Sequence, residues 1–152
     1  MDERVPDGVY LLVNAGSGKV LDVPGGGRDN GVSVEQWERL GPRGSRGQQW
    51  SLCYDADHGA YVVRRPDVGK YLDVCGGSLE NGASVQVWEY TSSDAQRWLL
   101  RPDARTGRYA VVNVGSGRVL DVADGSRADG ANVQQWDDRG AAGQRWEFVP
   151  VG

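Results

Sequence analysis

The segment Gly16-Ser17-Gly18-Lys19-Val20-Leu21-Asp22-Val23 occurs again as Gly69-Lys70-Tyr71-Leu72-Asp73-Val74, and a third time as Gly115-Ser116-Gly117-Arg118-Val119-Leu120-Asp121-Val122. Its three aspartates, Asp22, Asp73 and Asp121, are 51 and then 48 positions apart. The same offsets relate Tyr10, Tyr61 and Tyr109, the glycines Gly31, Gly82 and Gly130, and the tryptophans Trp37, Trp88 and Trp136. Four marks kept in step establish a threefold internal repeat. A second tryptophan follows in each unit as Gln-x-Trp, at Gln48 and Trp50, Gln96 and Trp98, and Gln144 and Trp146, so all 6 tryptophans of the chain are repeat marks. The first unit is longer because Gly41 to Gly47 adds residues. The units run over about 8–58, 59–106 and 107–152, behind an N-terminal tail at 1–7, and are read together as a single domain, 1–152.

Within each unit the apolar residues alternate with a period of two, which is the pattern of strands. Four strands are expected per unit: in the first, Val9 to Val13, Val20 to Val23, Val32 to Glu38 and Gln48 to Cys53. Gly-Ser-Gly, Asn30-Gly31 and Asp57-His58-Gly59 punctuate them. With 23 glycines in 152 residues, turns are frequent and long helices are not expected. A unit of about 50 residues is too small to bury a face alone, so the roughly twelve strands are predicted to close around a pseudo-threefold centre.

Side chains of neighbouring strand residues point to opposite faces. Leu21 and Val23 take the core, which directs Asp22 outward; Asp73 and Asp121 repeat this. Val85 and Val87 take one face of the third strand, leaving Gln86 and Trp88 on the other, and Gln134 with Trp136 follow suit. In the fourth strand the parity reverses: Trp98 aligns with Leu100 and Trp146 with Phe148, so the second tryptophans belong to the core. Each unit therefore offers an outward acid, an outward amide or acid, and an outward indole. A sugar ring carries hydroxyls at its edge and a C–H patch on one face, and this trio answers both: the carboxylate accepts from two hydroxyls and the indole covers the apolar face. Two other roles stay open. Each Asp precedes a Gly-rich turn whose N–H groups it could accept, and the three indoles could pack laterally over a barrel rim. For Gln48, Gln96 and Gln144 the expected role is structural, bracing nearby backbone or the Asp, with Trp50, Trp98 and Trp146 filling the core.

The ordered set Leu-Asp-Val, Asn-Gly or Asp-Gly, Val-x-x-Trp and Gln-x-Trp resembles the ricin-B-type lectin family from about Gly8 to the end. That resemblance implies an all-β β-trefoil, with a six-stranded barrel and a hairpin cap. It also implies binding of galactose-type or other glycans through Asp73, Gln86 and Trp88 in the second unit and Asp121, Gln134 and Trp136 in the third. The first unit supplies Asp22 and Trp37 but has Glu35 in place of the amide. Where family members have Asn before Gln-x-Trp, this chain has Gly47, Ala95 and Gly143. The cysteines that often join the second and third strands in the family are replaced by Val20, Tyr71 and Val119 on one side and Arg39, Tyr90 and Asp138 on the other.

Other classes fit poorly. A net charge of −4 lacks the basic footprint that nucleic acid or an anionic membrane requires. No apolar run approaches a membrane span, and the opening residues lack the features of a secretory signal. The chain as written is expected in the cytoplasm, with export by another route left open. Cys53 and Cys75 are read as free thiols. His58 has no counterpart in the other units and no partnered nucleophile, so no catalysis is expected. The paired acids Asp137-Asp138 and Asp55/Asp57 lie in turns, where acids are commonly solvated, and no metal or cofactor is expected. The competing function is a β-trefoil that binds a protein, such as a protease inhibitor, through exposed loops like Gly41 to Gly47. A targeting module of a larger glycoside hydrolase ranks third.

Overall fold

The computed structural model describes residues 4–151. Thirteen strands form one sheet system: β1 (Gly8–Asn14), β2 (Val20–Asp22), β3 (Val32–Ser33), β4 (Glu35–Trp37), β5 (Trp50–Asp55), β6 (Ala60–Arg64), β7 (Tyr71–Val74), β8 (Val85–Trp88), β9 (Trp98–Asp103), β10 (Arg108–Asn113), β11 (Val119–Val122), β12 (Val133–Trp136) and β13 (Trp146–Pro150). The only helical pieces among the described residues are single 3-10 turns.

The pairings β1–β5, β5–β6, β6–β9, β9–β10, β10–β13 and β13–β1 return to their start, so six strands close into an antiparallel barrel with no free edge. Hairpins β2/β4, β7/β8 and β11/β12 cap one end. This is the β-trefoil, with lobes 1, 2 and 3 corresponding to the three sequence repeats. The barrel is filled by one indole per lobe: Trp50, Trp98 and Trp146 are fully buried. Each indole N–H donates to the carbonyl of the leucine before the repeat aspartate, Leu21, Leu72 or Leu120, at 3.1 Å in every lobe. A ring that large in a dry core keeps its single donor satisfied, and the same bond ties barrel to cap three times over.

Two strand boundaries depart from the sequence reading. The third strand of lobe 1 is broken at Val34, because Val32–Ser33 pairs with β8 of lobe 2 while Glu35–Trp37 pairs with β2. The fourth strand starts at the tryptophan, since Gln48, Gln96 and Gln144 each end a 3-10 turn instead of opening a strand. Residues 4–7 of the tail are packed at the open end of the barrel. The hydroxyl of Tyr10 donates to the Pro6 carbonyl and that of Tyr61 to the Val5 carbonyl, while the Arg4 guanidinium stacks 3.9 Å from the Tyr54 ring centre. Met1, Asp2 and Glu3, also assigned to that tail, lie outside the described residues.

Candidate functional site

Strand register assembles the predicted trios. Asp22 lies opposite Glu35, Asp73 opposite Gln86 and Asp121 opposite Gln134. Two positions away on the same face, Trp37, Trp88 and Trp136 are half-buried, with part of each ring open to solvent. In lobe 2 the Gln86 amide donates to Asp73 Oδ2 at 2.8 Å; in lobe 3 the Gln134 amide donates to Asp121 Oδ2 at 2.9 Å. Alternation along the strands thus groups acid, amide and indole as parity requires.

The aspartates are a correction. They face away from the aliphatic core, as expected, but they do not project outward: only 4–7% of each is exposed. The cause is the 3-10 turn that carries the Gln-x-Trp glutamine, which folds against the end of the second strand. In lobe 1, Val23 N–H donates to the Gly47 carbonyl at 3.0 Å, and a Cβ on Gly47 would sit 3.0 Å from the Val23 carbonyl. Each carboxyl is therefore sunk and not an exposed knob, and Asp22 and Asp73 lie in the lining of clefts. Loss of water raises the pKa of all three, and the amides that hydrogen-bond Asp73 and Asp121 oppose that rise. Asp22 goes furthest, to about 8, through burial and then through its hydrogen bond with, and charge repulsion from, Glu35.

Asp73 and Asp121 are held by the side-chain amides of Gln86 and Gln134 instead of by the backbone of the following turn. The bracing expected of the Gln-x-Trp glutamines is present: Gln96 accepts from Thr91 N–H at 2.9 Å and donates to the Glu89 carbonyl at 2.8 Å, and Gln48 and Gln144 make the corresponding bonds. These glutamines lock the loop that walls each cleft.

Sequence reasoning missed the support behind the indoles. The turn of each lobe reaches across to the next lobe's cap: Gly31, Gly82 and Gly130 donate backbone N–H bonds at 2.8 Å to the carbonyls of Val87, Gln135 and Gln36. A Cβ at these glycines would meet the six-membered ring edge of Trp88, Trp136 or Trp37 at 3.5–3.6 Å, and all three have φ between +84° and +90°. The turn is thus both left-handed and a seat for a neighbouring ring, and glycine meets both needs. Asn30 and Asn81 lock the seat by accepting from Glu89 N–H and Asp137 N–H, each at 2.8 Å. The equal offsets of Asn-Gly and Trp contained a trace of this, but the partner is in another lobe and no local pattern identifies it.

Two clefts follow. That of lobe 1, about 620 Å³, is lined by Asp22, Glu35, Trp37, Leu40, Arg46 and Gly47 among others. That of lobe 2, about 710 Å³, is lined by Asp73, Gln86, Trp88, Thr91, Ala95 and the exposed thiol Cys75. In lobe 3 the Arg139 guanidinium lies 5.7 Å from the centre of the Trp136 ring. Gly41 to Gly47, expected as an exposed loop, has Gly41, Pro42, Arg43 and Arg46 exposed and is tied to lobe 1 where Leu40 N–H and Ser45 N–H both donate to Gln48 Oε1. Asp55 hydrogen-bonds to His58 at 2.7 Å, and Asp138 pairs with Arg101 and Arg145. Asp137 pairs with Arg118. Among the described residues no group of three or more His, Cys, Asp and Glu comes together as a metal cage.

A family model described as ricin-type beta-trefoil lectin domain-like matches residues 2–88 and 94–152. A designed threefold-symmetric protein, ThreeFoil, is 39% identical, with a TM-score of 0.87, covering 95% of this chain and 100% of that one. An exo-beta-1,3-galactanase from Clostridium thermocellum is 36% identical, also at 0.87; 99% of this chain is covered, but only 32% of the enzyme. The Macrolepiota procera ricin B-like lectin, solved with lactose, shares the fold at 20% identity, with a TM-score of 0.80 and coverage of 97% and 99%. No curated protein sequence matches the chain.

Proposed function

Because the chain belongs to the ricin-type β-trefoil lectin-like family, we propose that it is a non-catalytic carbohydrate-binding module with up to three shallow glycan sites, one per lobe. One observation carries this reading: a desolvated acid, its amide partner and a half-open indole share one cleft in lobe 2, with Asp73 and Gln86 joined at 2.8 Å and Trp88 in the same lining. The acid accepts hydrogen bonds from paired sugar hydroxyls, the amide adds one donor and one acceptor, and the indole covers the C–H face. Asp121, Gln134 and Trp136 would do the same in lobe 3, and Asp22, Glu35 and Trp37 a variant of it in lobe 1. Galactose-configured glycans are the first class to try, supported by the similarity to one third of an exo-beta-1,3-galactanase. Shallow single sites imply a Kd near 1 mM for a monosaccharide, on the order of 4 kcal/mol per site, with avidity from several lobes.

A glycan screen followed by thermal-shift titration tests this. Galactose, lactose or a β-1,3-galacto-oligosaccharide is expected to raise the melting temperature at millimolar concentration, and Trp88→Ala with Trp136→Ala to remove most of that rise. The proposal fails if no glycan shifts the melting temperature, or if the double variant responds as the parent does.

A further inference from the structure

The three lobes share an aspartate and an indole but differ in what stands opposite the aspartate. In lobes 2 and 3 an amide N–H points at the carboxylate. In lobe 1 Glu35 occupies that register position across from Asp22, so two carboxyl groups meet where acid and amide meet elsewhere. Both line the cleft together with Trp37. Asp22 is more than nine-tenths buried, and neither acid forms an ion pair among the described residues.

The cations nearby do not neutralise this pair. Arg65, the residue after β6, is committed to Asp67 at 2.7 Å and to the Gly27 carbonyl at 2.7 Å, and acts on Asp22 only through its more distant charge. Arg46, on the 3-10 turn, stands at the rim with its side chain exposed, where solvent screens it. The remaining neighbour, Gln48, is a neutral amide that donates to the Glu38 carbonyl and brings no charge to offset the pair.

We propose that lobe 1 is a site for an amino sugar in its ammonium form, with Glu35 as the specificity-determining residue. An ammonium has three donors and no acceptor, the complement of two adjacent carboxylates, and its charge relieves their repulsion. Trp37 would cover the C–H face of the ring while its π face attracts the cation. The proton that Asp22 holds in the empty cleft then leaves to bulk buffer, because an adjacent cation stabilises the ionised acid. A neutral sugar brings no such compensation. Lobes 2 and 3, where an amide fills the position, lack the second carboxyl opposite the aspartate: the Asp94 that lines the lobe 2 cleft is already paired with Arg97 at 2.8 Å, and Asp124 acts on Asp121 only through its charge.

This inference rests on the lectin reading of the clefts, and one experiment separates the two. In Trp88→Ala/Trp136→Ala, galactosamine hydrochloride, N-acetylgalactosamine and galactose are titrated near neutral pH while the Trp37 indole N–H resonance is followed. Galactosamine is expected to bind about tenfold more tightly than the two uncharged sugars. Its binding enthalpy should vary with the ionisation enthalpy of the buffer, which reports the released proton. Glu35→Gln should bring the ratio close to one while leaving the Trp37 resonance responsive. Equal affinities in the parent site, or a preference that survives Glu35→Gln, would overturn the proposal. If the double variant does not fold, the same resonance is followed in the unaltered protein. Galactose binding at lobes 2 and 3 without an amine preference at lobe 1 sinks this inference alone, whereas silence of all three indoles toward every sugar sinks the lectin reading with it.

Discussion

Lobes 1 and 2 place an aspartate and an indole fifteen positions apart on equivalent hairpins, over clefts of similar size, yet they are different chemical environments. In lobe 2 the acid receives a proton donor that is permanently attached to Gln86. In lobe 1 a second carboxyl, Glu35, stands in that position instead of a donor, and the pKa of Asp22 rises to about 8. Backbone register therefore fixes where the functional groups meet, and a single side chain decides the charge they present. Lobe 3 adds another variation: its acid and amide match lobe 2, but Arg139 occupies the face of Trp136.

The comparison assumes that the lobes are interchangeable in the barrel and distinct only in the cap, and the largest effect tests the barrel. Trp50→Ala, Trp98→Ala and Trp146→Ala should each lower stability by roughly 3–5 kcal/mol in urea denaturation, since each removes a fully buried ring and its bond to the cap. Trp88→Ala, whose ring is half open, should cost much less. A barrel tryptophan that could be removed cheaply would break the equivalence.

The next effect is in pH. A raised pKa means that the folded protein holds a proton which the unfolded chain releases, so stability falls as pH rises from the ordinary carboxyl value of 3.8 toward about 8. Asp73 and Asp121 act in the same direction. Glu35→Gln should flatten this fall by removing the repulsion on Asp22, and Gln86→Glu should steepen it by importing the pair into lobe 2. Melting temperatures across that window decide the matter, and identical slopes for both variants would show that the amide and the acid are equivalent after all.

The smallest effect belongs to lobe 3. Clearing the indole face with Arg139→Ala should strengthen glycan binding there by about two- to fivefold, the size of a cation–π contact of roughly 0.5–1 kcal/mol. Residue-resolved titration of the Trp136 resonance measures it, and an unchanged affinity would mean that the guanidinium already moves aside at no cost.

Much of this was legible before any coordinates. The repeat set the three lobes, and alternation separated the two tryptophan classes, because apolar side chains of a short strand have only two faces to choose between. Alternation could not show that Asp22, Asp73 and Asp121 are sunk to a few per cent exposure. That depends on the 3-10 turn before the barrel tryptophan, about 25 residues further along the chain. Nor could it show that Gly31 seats Trp88, because the glycine is read naturally as its own hairpin's turn. The docked residues Val5 and Pro6 were hidden for a similar reason: Tyr61 and Tyr10 donate their hydroxyls to the Val5 and Pro6 carbonyls, and the tail has no repeat of its own to mark those acceptors.

What the sequence alone determined is the threefold division, the strand faces and the composition of each trio, including the odd glutamate at position 35, since these follow from periodicity and residue identity. What only tertiary structure decided is how wet each group is and what it leans on: which carboxyls are stripped of water, and which rings keep a free face. Dehydration and support come from atoms that other segments deliver, and proximity of that kind is a property of the closed barrel and not of any single strand.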